Sequence, residues 1–455
     1  ADSPLEKGTR TGKKMKRLLP LLLCAVLALF CATTAQAAGV SITLTASEYA
    51  LHYAFDAGAQ DPFVILEYAT PAEKGWMMLY SADGHFEGDV SLAYSGAGGK
   101  TSVALTSART TGSIGKASTT LPKAVDYQKP TGKSNAKVMD FVLTETPEGF
   151  HYAFNAAGTD YMLLYWRSKE QTVTQPVYPD GNGHYEGDVV SELTFARTQF
   201  TVQVKSGSGS MKKEATVRKG YQAPEAPQRQ EGRLSGVTVC IDAGHQENGR
   251  FVNEPIGPGL SGSTSGKGGM AQGTKTNRRE SIVCLEIGML LRDELLRQGA
   301  NVVMTREDQT TFHTNIERCE IAEAGGAQIM LRLHCNNSSN RSKRGIQVYG
   351  PLNSDYAKAV ADADTYREMG QKLLDAMKTR VGMTLANSTG MVRLNDNYVG
   401  NNWAKMMCFL VEMGYLSNPA EEYLLVTPVY QQWLAEGMAD GVYEIAVARG
   451  WVQAQ

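Results

Sequence analysis

The alternation of apolar and polar positions changes character near residue 236. Before it, short runs such as "FVILEYA" from Phe63 and "YMLLYWR" from Tyr161 stand between clusters of Gly, Asp and Asn. Runs of this length at regular spacing predict strands assembled as β-sandwiches. After it, strand-length apolar runs take turns with stretches of helical period. "GVTVCID" reads as a buried strand, and residues 280–298 as an amphipathic helix stopped by Gly299. "NVVMTR" is a strand, and "TNIERCEIAEA" opens a helix with a capping box, Thr314 and Glu317. "AQIMLRLHCNN" and "GIQVYG" are strands, residues 359–380 are largely helical, and "MMCFLVEMGY" is a strand. Pro419 in "SNPAEE" starts a further helix. This order predicts a multidomain chain whose last part is an α/β domain, with a mostly parallel central sheet flanked by helices.

The β-rich half is duplicated. "HYAFDA" at His52 returns as "HYAFNA" at His151, and "GHFEGDV" at Gly84 as "GHYEGDV" at Gly183, both 99 residues later. Two tandem β-sandwich modules are expected, at residues 38–125 and 134–222. The "GHxEGDV" segments read as hairpin turns entering strands. Duplication suits binding to a polymer, because linked modules raise each other's effective concentration. Residues 223–235, "APEAPQRQEGRLS", are Pro-rich and polar and read as a linker. Residues 236–455 are then expected to fold alone as the catalytic domain.

Composition adds limits. Only 20% of residues are charged and the net charge is -2, which excludes the basic excess of a nucleic-acid binder. Met15-Lys16-Arg17, the apolar run 18–32 and the small-x-small pattern Ala35-Gln36-Ala37 predict a secretory signal cut before Ala38. The run is short for a bilayer span, so stable membrane insertion is not expected. Residues 1–14 carry no fold signal. "ALFC" at residues 28–31 is a poor lipoprotein box, since a bulky Phe precedes the Cys. Beyond the leader, Cys240, Cys284, Cys319, Cys335 and Cys408 make an odd number with no CxxC pair. They read as free buried thiols.

Sites in α/β sheets form just past the carboxyl ends of strands. His245 follows the first such strand and His334 ends "IMLRL". Glu412 follows five apolar residues, where an ionised carboxylate is costly unless paired or bound. Glu280 opens the first long helix, where the helix dipole alone would favour a carboxylate. His313 falls in a loop. Two His and one Glu are the ligand set of hydrolytic zinc sites, and a further Glu supplies the general base.

Residues 236 to about 449 resemble the zinc-dependent N-acetylmuramoyl-L-alanine amidases of the amidase-3 group of cell-wall hydrolases. The motifs are "IDAGH" at 241–245, the Glu opening "ESIVCLEIGMLL", "MTR" at 304–306, "ER" before "IAEAGGAQIMLRLHCN", and "VEMGYLSNPAEE" at 411–422. The resemblance implies that His245, Glu280 and His334 bind zinc and that Glu412 is the catalytic glutamate. Asn336 matches the family's "HxN". It also implies a secreted autolysin acting on peptidoglycan, cutting between N-acetylmuramic acid and L-alanine. The alternatives are a zinc endopeptidase of wall cross-links and a non-catalytic wall-binding protein. "QENGR" after His245 departs from the family's glycines, and the long Gly-, Ser- and Thr-rich loop 246–279 is read either as one wall of the substrate groove or as a segment disordered without substrate.

Overall fold

The computed structural model describes residues 32–35 and 39–454, apart from 111, 128, 130–136, 147–148, 160, 169–170, 191–198, 207–210, 219–222, 247–251, 265–268, 277 and 383–390. The leader segment supplies β1 (Ala32–Ala35), and the first copy of the repeat supplies β2 (Ile42–Ser47), β3 (Ala50–Asp56), β4 (Phe63–Ala69), β5 (Glu73–Tyr80), β6 (His85–Ser91), β7 (Gly99–Ser107) and β8 (Ser113–Leu121). The second supplies β9 (Val138–Thr146), β10 (Gly149–Ala156), β11 (Met162–Arg167), β12 (Gln171–Val177), β13 (His184–Val190), β14 (Gln199–Lys205) and β15 (Met211–Arg218). Most of the leader lies outside the described residues, but β1 pairs antiparallel with β2.

Each copy buries its own core. One gathers Ile42, Leu44, Leu66 and Leu105, the other Phe150, Phe154, Trp166 and Phe200. The copies share a sheet, however. Beside the sheets β1-β2-β3-β6 and β13-β10-β9 runs an eight-stranded one in the order β15-β14-β11-β12-β5-β4-β7-β8. Its seam is β12 against β5, with Thr172 opposite Lys74. Buried Glu73 ties the seam: its carboxylate accepts from Gln171 Nε2 at 3.1 Å and from Ser95 Oγ and Tyr94 N, each at 2.9 Å.

The C-terminal part runs β16 (Thr238–Ala243), α1 (Glu280–Arg297), β17 (Asn301–Met304), α2 (Asn315–Ala324), β18 (Ile329–Asn336), β19 (Gln347–Gly350), α3 (Asp355–Val360), α4 (Ala363–Val381), β20 (Met391–Leu394), α5 (Val399–Trp403), β21 (Met407–Tyr415), α6 (Glu421–Leu425) and α7 (Pro428–Ala448). The capping box of α2 is formed, with Thr314 N donating to Glu317 Oε2 at 2.7 Å. The helical run expected over 359–380 is cut at Asp362, whose side chain caps α4 by accepting from Thr365 N.

The sheet order is β17-β16-β18-β21-β19-β20, and the sheet is mixed. β19 runs antiparallel to β21, while the other pairings are parallel. The reason is local. A parallel strand needs a crossover of about a dozen residues or more. β18 reaches β19 through a shorter connection without a helix, and the chain simply turns back. The α7 helix packs on α4 so closely that a Cβ on Gly437 would meet Met377 Cα at 2.7 Å. All five described cysteines are buried and free.

The two halves are not joined by a free tether. Leu234 is fully buried, Leu234 N donates to Gln298 O, and Arg233 pairs with Asp440 on α7. Aromatic side chains of the eight-stranded sheet cover the α6–α7 face: Trp76 stands edge-on to Tyr423 at 4.6 Å, and Phe63 edge-on to Tyr430 and Trp433. Residues 236–455 alone would expose this face. Trp76→Ala should therefore lower stability by about 3–5 kcal/mol, the usual cost of a buried Trp truncation. Chemical unfolding of the full chain checks it, and a change below about 1 kcal/mol would show that the interface contributes little.

Candidate metal centre and catalytic cleft

The strands β16, β18 and β21 are parallel neighbours, so their carboxyl ends share one edge of the sheet. His245 lies two residues beyond β16, and His334 sits in β18 opposite Glu412 in β21. Glu280, first residue of α1, reaches the same edge because α1 packs across β16 and β18. Glu280 Oε1 lies 3.1 Å from His245 Nε2 and 3.0 Å from His334 Nδ1. The same oxygen accepts from Cys335 N at 3.0 Å, and Oε2 accepts from Ala271 N at 2.7 Å. One donor atom from each of His245, Glu280 and His334 falls within 4.8 Å of the others, a set that can hold a metal ion. The two imidazoles meet nearly edge-on, at 79°.

The two glutamates experience opposite surroundings. Burial alone would push the Glu280 carboxyl up, but hydrogen bonds from His245 and His334 outweigh it and hold the group well below the usual carboxylate range. Burial pushes His334 down, toward the neutral imidazole that metals take. Burial pushes Glu412 well above its usual value, and the charge on Glu280 adds to this. Glu412 Oε2 is buried without a hydrogen-bond partner among the described residues. All four side chains line one cleft of about 860 Å³. His313 lines it too, and Asn336 donates to Gln347 Oε1 at 3.1 Å.

His245 adopts φ 57°, a left-handed conformation unfavourable for a residue with a side chain. Two arginines hold the turn from inside. Arg306 donates to the carbonyls of Ala243 (2.7 Å), Gly244 (2.9 Å) and Ser281 (2.7 Å). Arg318 donates to the carbonyls of Ala243 (3.0 Å) and His245 (3.2 Å). Fully buried Asp242 balances their charge, pairing with Arg318 and, at 2.9 Å, with Arg332. Burial opposes its ionisation, yet these two cations keep it far below the usual range. Gly244 admits no side chain, since a Cβ would meet Leu333 O at 2.4 Å and His334 Cε1 at 2.6 Å.

Sequence reasoning quoted "MTR" and "ER" as motifs without giving Arg306 or Arg318 a task. It passed over Asp242 and Arg332, although a charge inside "TVCID" or "IMLRL" is itself a signal of buried pairing. It also missed Glu254 and Glu422. Glu254 accepts from Asn315 N, Asn315 Nδ2 and Ile316 N; Glu422 accepts from Thr274 Oγ1, Lys275 N and Thr276 N. These carboxylates pin the described parts of the 246–279 loop, of which Gly269, Met270 and Ala271 line the cleft.

Arg306→Ala should leave the Gly244 carbonyl without its donor, at a cost of ~1–3 kcal/mol when buried and unmet, while Ala243 O keeps Arg318 and Ser281 O keeps Gln309. Urea unfolding should show a loss of at least about 1 kcal/mol. A near-wild-type value would mean that the His245 turn stands unaided.

The N-acetylmuramoyl-L-alanine amidase family Amidase_3 matches residues 239–444. The germination-specific N-acetylmuramoyl-L-alanine amidase of Bacillus subtilis is 26% identical over 231 residues, which cover 48% of this chain and 83% of that protein. The probable cell wall amidase LytH of Staphylococcus aureus is 27% identical over 218 residues, covering 47% of this chain and 60% of that protein. The solved N-acetylmuramoyl-L-alanine amidase of Clostridium difficile 630 aligns with 46% of this chain and 96% of its own, at 24% identity and a TM-score of 0.37. With the family matched across the strands and helix that carry His245, Glu280, His334 and Glu412, residues 239–444 are an N-acetylmuramoyl-L-alanine amidase domain of the Amidase_3 family.

Proposed function

We propose that the chain is a secreted, zinc-dependent enzyme that cuts the amide between N-acetylmuramic acid and L-alanine in peptidoglycan. The observation that carries this is the orphaned, buried carboxylate oxygen of Glu412 in the cleft that holds the His245–Glu280–His334 cluster. Two imidazoles and a carboxylate suit zinc, which takes three protein ligands and keeps one position open in hydrolytic sites; calcium and magnesium prefer oxygen donors. When bound, zinc would supply a Lewis acid that polarises the lactyl carbonyl and acidifies water. Glu412, as its carboxylate, takes the proton of the attacking water. It then returns that proton to the departing alanine nitrogen, the task for which an unpaired carboxyl at this position is suited. Glu280 stays ionised between the two histidines and has no proton to give.

In this reading residues 236–455 carry the chemistry, and residues 38–125 and 134–222 hold the enzyme on the wall. Among the described residues no helix is long and apolar enough to cross a membrane. Mass analysis of digested peptidoglycan tests the bond: new amino-terminal alanine with intact glycan is expected, whereas new termini on other residues would indicate an endopeptidase.

Two further outcomes are expected. The purified chain should hold about one zinc, and His334→Ala should lose most of it while staying folded. Elemental analysis reads this, and full zinc in both His245→Ala and His334→Ala would sink the site. Glu412→Gln should keep zinc and melting temperature while muropeptide release falls by roughly 10²–10⁴-fold. An active, zinc-loaded Glu412→Gln would refute the proton-shuttle role.

A further inference from the structure

Beside the cleft lies a second cavity of about 460 Å³, and Asn336 and Asn337 line both. Among the described residues its charged lining is wholly cationic: Lys343, Arg344 and Arg393, with no carboxylate. Arg344 donates to the carbonyl of Arg109 in the β-rich half. Lys343 and Arg393 are exposed. Between them and the cleft the polar surface is pinned, because Gln347 Oε1 accepts from both Asn336 Nδ2 (3.1 Å) and Tyr349 OH (2.7 Å).

Sheet register sets the distance to the chemistry. Gln347 pairs with Glu412, and Tyr349, two residues on, pairs with Arg393 in the next strand. Arg393 thus stands two strands and two residues from Glu412, about 12 Å between Cα atoms at ordinary strand spacing and rise. Extended chain spans ~3.3–3.6 Å per residue, so this is the reach of about three residues. The cavity is therefore within reach of the second or third residue of a peptide that leaves the cleft on this side.

We propose that this cavity is a specificity subsite in which Arg393 and Lys343 hold a carboxylate on the second or third residue of the stem peptide, so that acidic peptides are preferred over amidated ones. The inference rests on the amidase reading of the neighbouring cleft. A guanidinium forks onto a carboxylate through two parallel hydrogen bonds, and an ammonium adds a point charge. Amidation removes the charge and turns N–H donors toward donors, which makes the same cavity repel what it otherwise holds.

The test uses the full, zinc-loaded chain and two soluble N-acetylmuramyl-tripeptides, one with free carboxylates on its second and third residues and one with both amidated. Cleavage of the free acid should be favoured by roughly 10–100-fold in kcat/KM, as expected for one lost charge-assisted contact, and the difference should appear mainly in KM. In the Lys343→Gln/Arg393→Gln double variant, KM for the free acid should rise to that for the amide. If wild type cuts both peptides equally, or the double variant keeps the preference, the subsite is wrong and the amidase reading stands. If neither peptide is cut, the amidase reading falls, and calorimetry with the same two peptides decides the subsite. Tighter binding of the free acid that vanishes in the double variant supports it; equal binding overturns it.

Discussion

The cleft depends on the guanidiniums of Arg306 and Arg318 turned inward onto the carbonyls of Ala243, Gly244 and His245. A strand that ends in a left-handed histidine stores strain of ~1–3 kcal/mol and points carbonyls into the protein, away from water. The planar fork of an arginine can answer several such carbonyls at once, which a lysine cannot. Two buried cations would themselves be costly. Asp242, beneath the turn and fully buried, offsets that cost and extends the network to Arg332 on the neighbouring strand. The strained turn, the charges beneath it and the position of His245 are therefore one structure.

On that support, Glu280 and Glu412 are driven apart in protonation by their neighbours. Glu280 is wedged between two histidines and two backbone N–H groups, which favour its anion. Glu412 has burial and the nearby charge of Glu280, both of which favour its acid. Paired carboxyls with separated pKa values are the usual means by which one pocket holds a fixed charge and a movable proton together.

The β-rich half is built onto this domain rather than strung before it. The shared sheet across β12 and β5 makes the two repeat copies continuous. Phe63 and Trp76, from the copy that meets α6 and α7, enter the same apolar core as the helices behind the cleft. Arg344 carries the contact to the rim of the cationic cavity through the Arg109 carbonyl. Whatever the β-rich half touches is thereby held in a set position relative to the cleft.

By itself the sequence determined what is local and periodic. The repeat, the succession of strands and helices, the α2 capping box and the placing of His245, His334 and Glu412 at strand ends follow from side-chain spacing, which is carried along the chain. Tertiary structure alone decided that β19 runs backward, that the repeat copies share a sheet and that an aromatic face joins the halves. Each of these depends on which surfaces meet, and a surface's partner is not encoded by period. The same holds for the site. Glu280 lies 54 residues from His334 in sequence, and only the packing of α1 across β16 and β18 brings its carboxylate between the two histidines. The arginine clamp was written in the chain as "MTR" and "ER", but its meaning required the strained carbonyls it answers. Those exist only once the strand end, the helix and the turn are folded against one another.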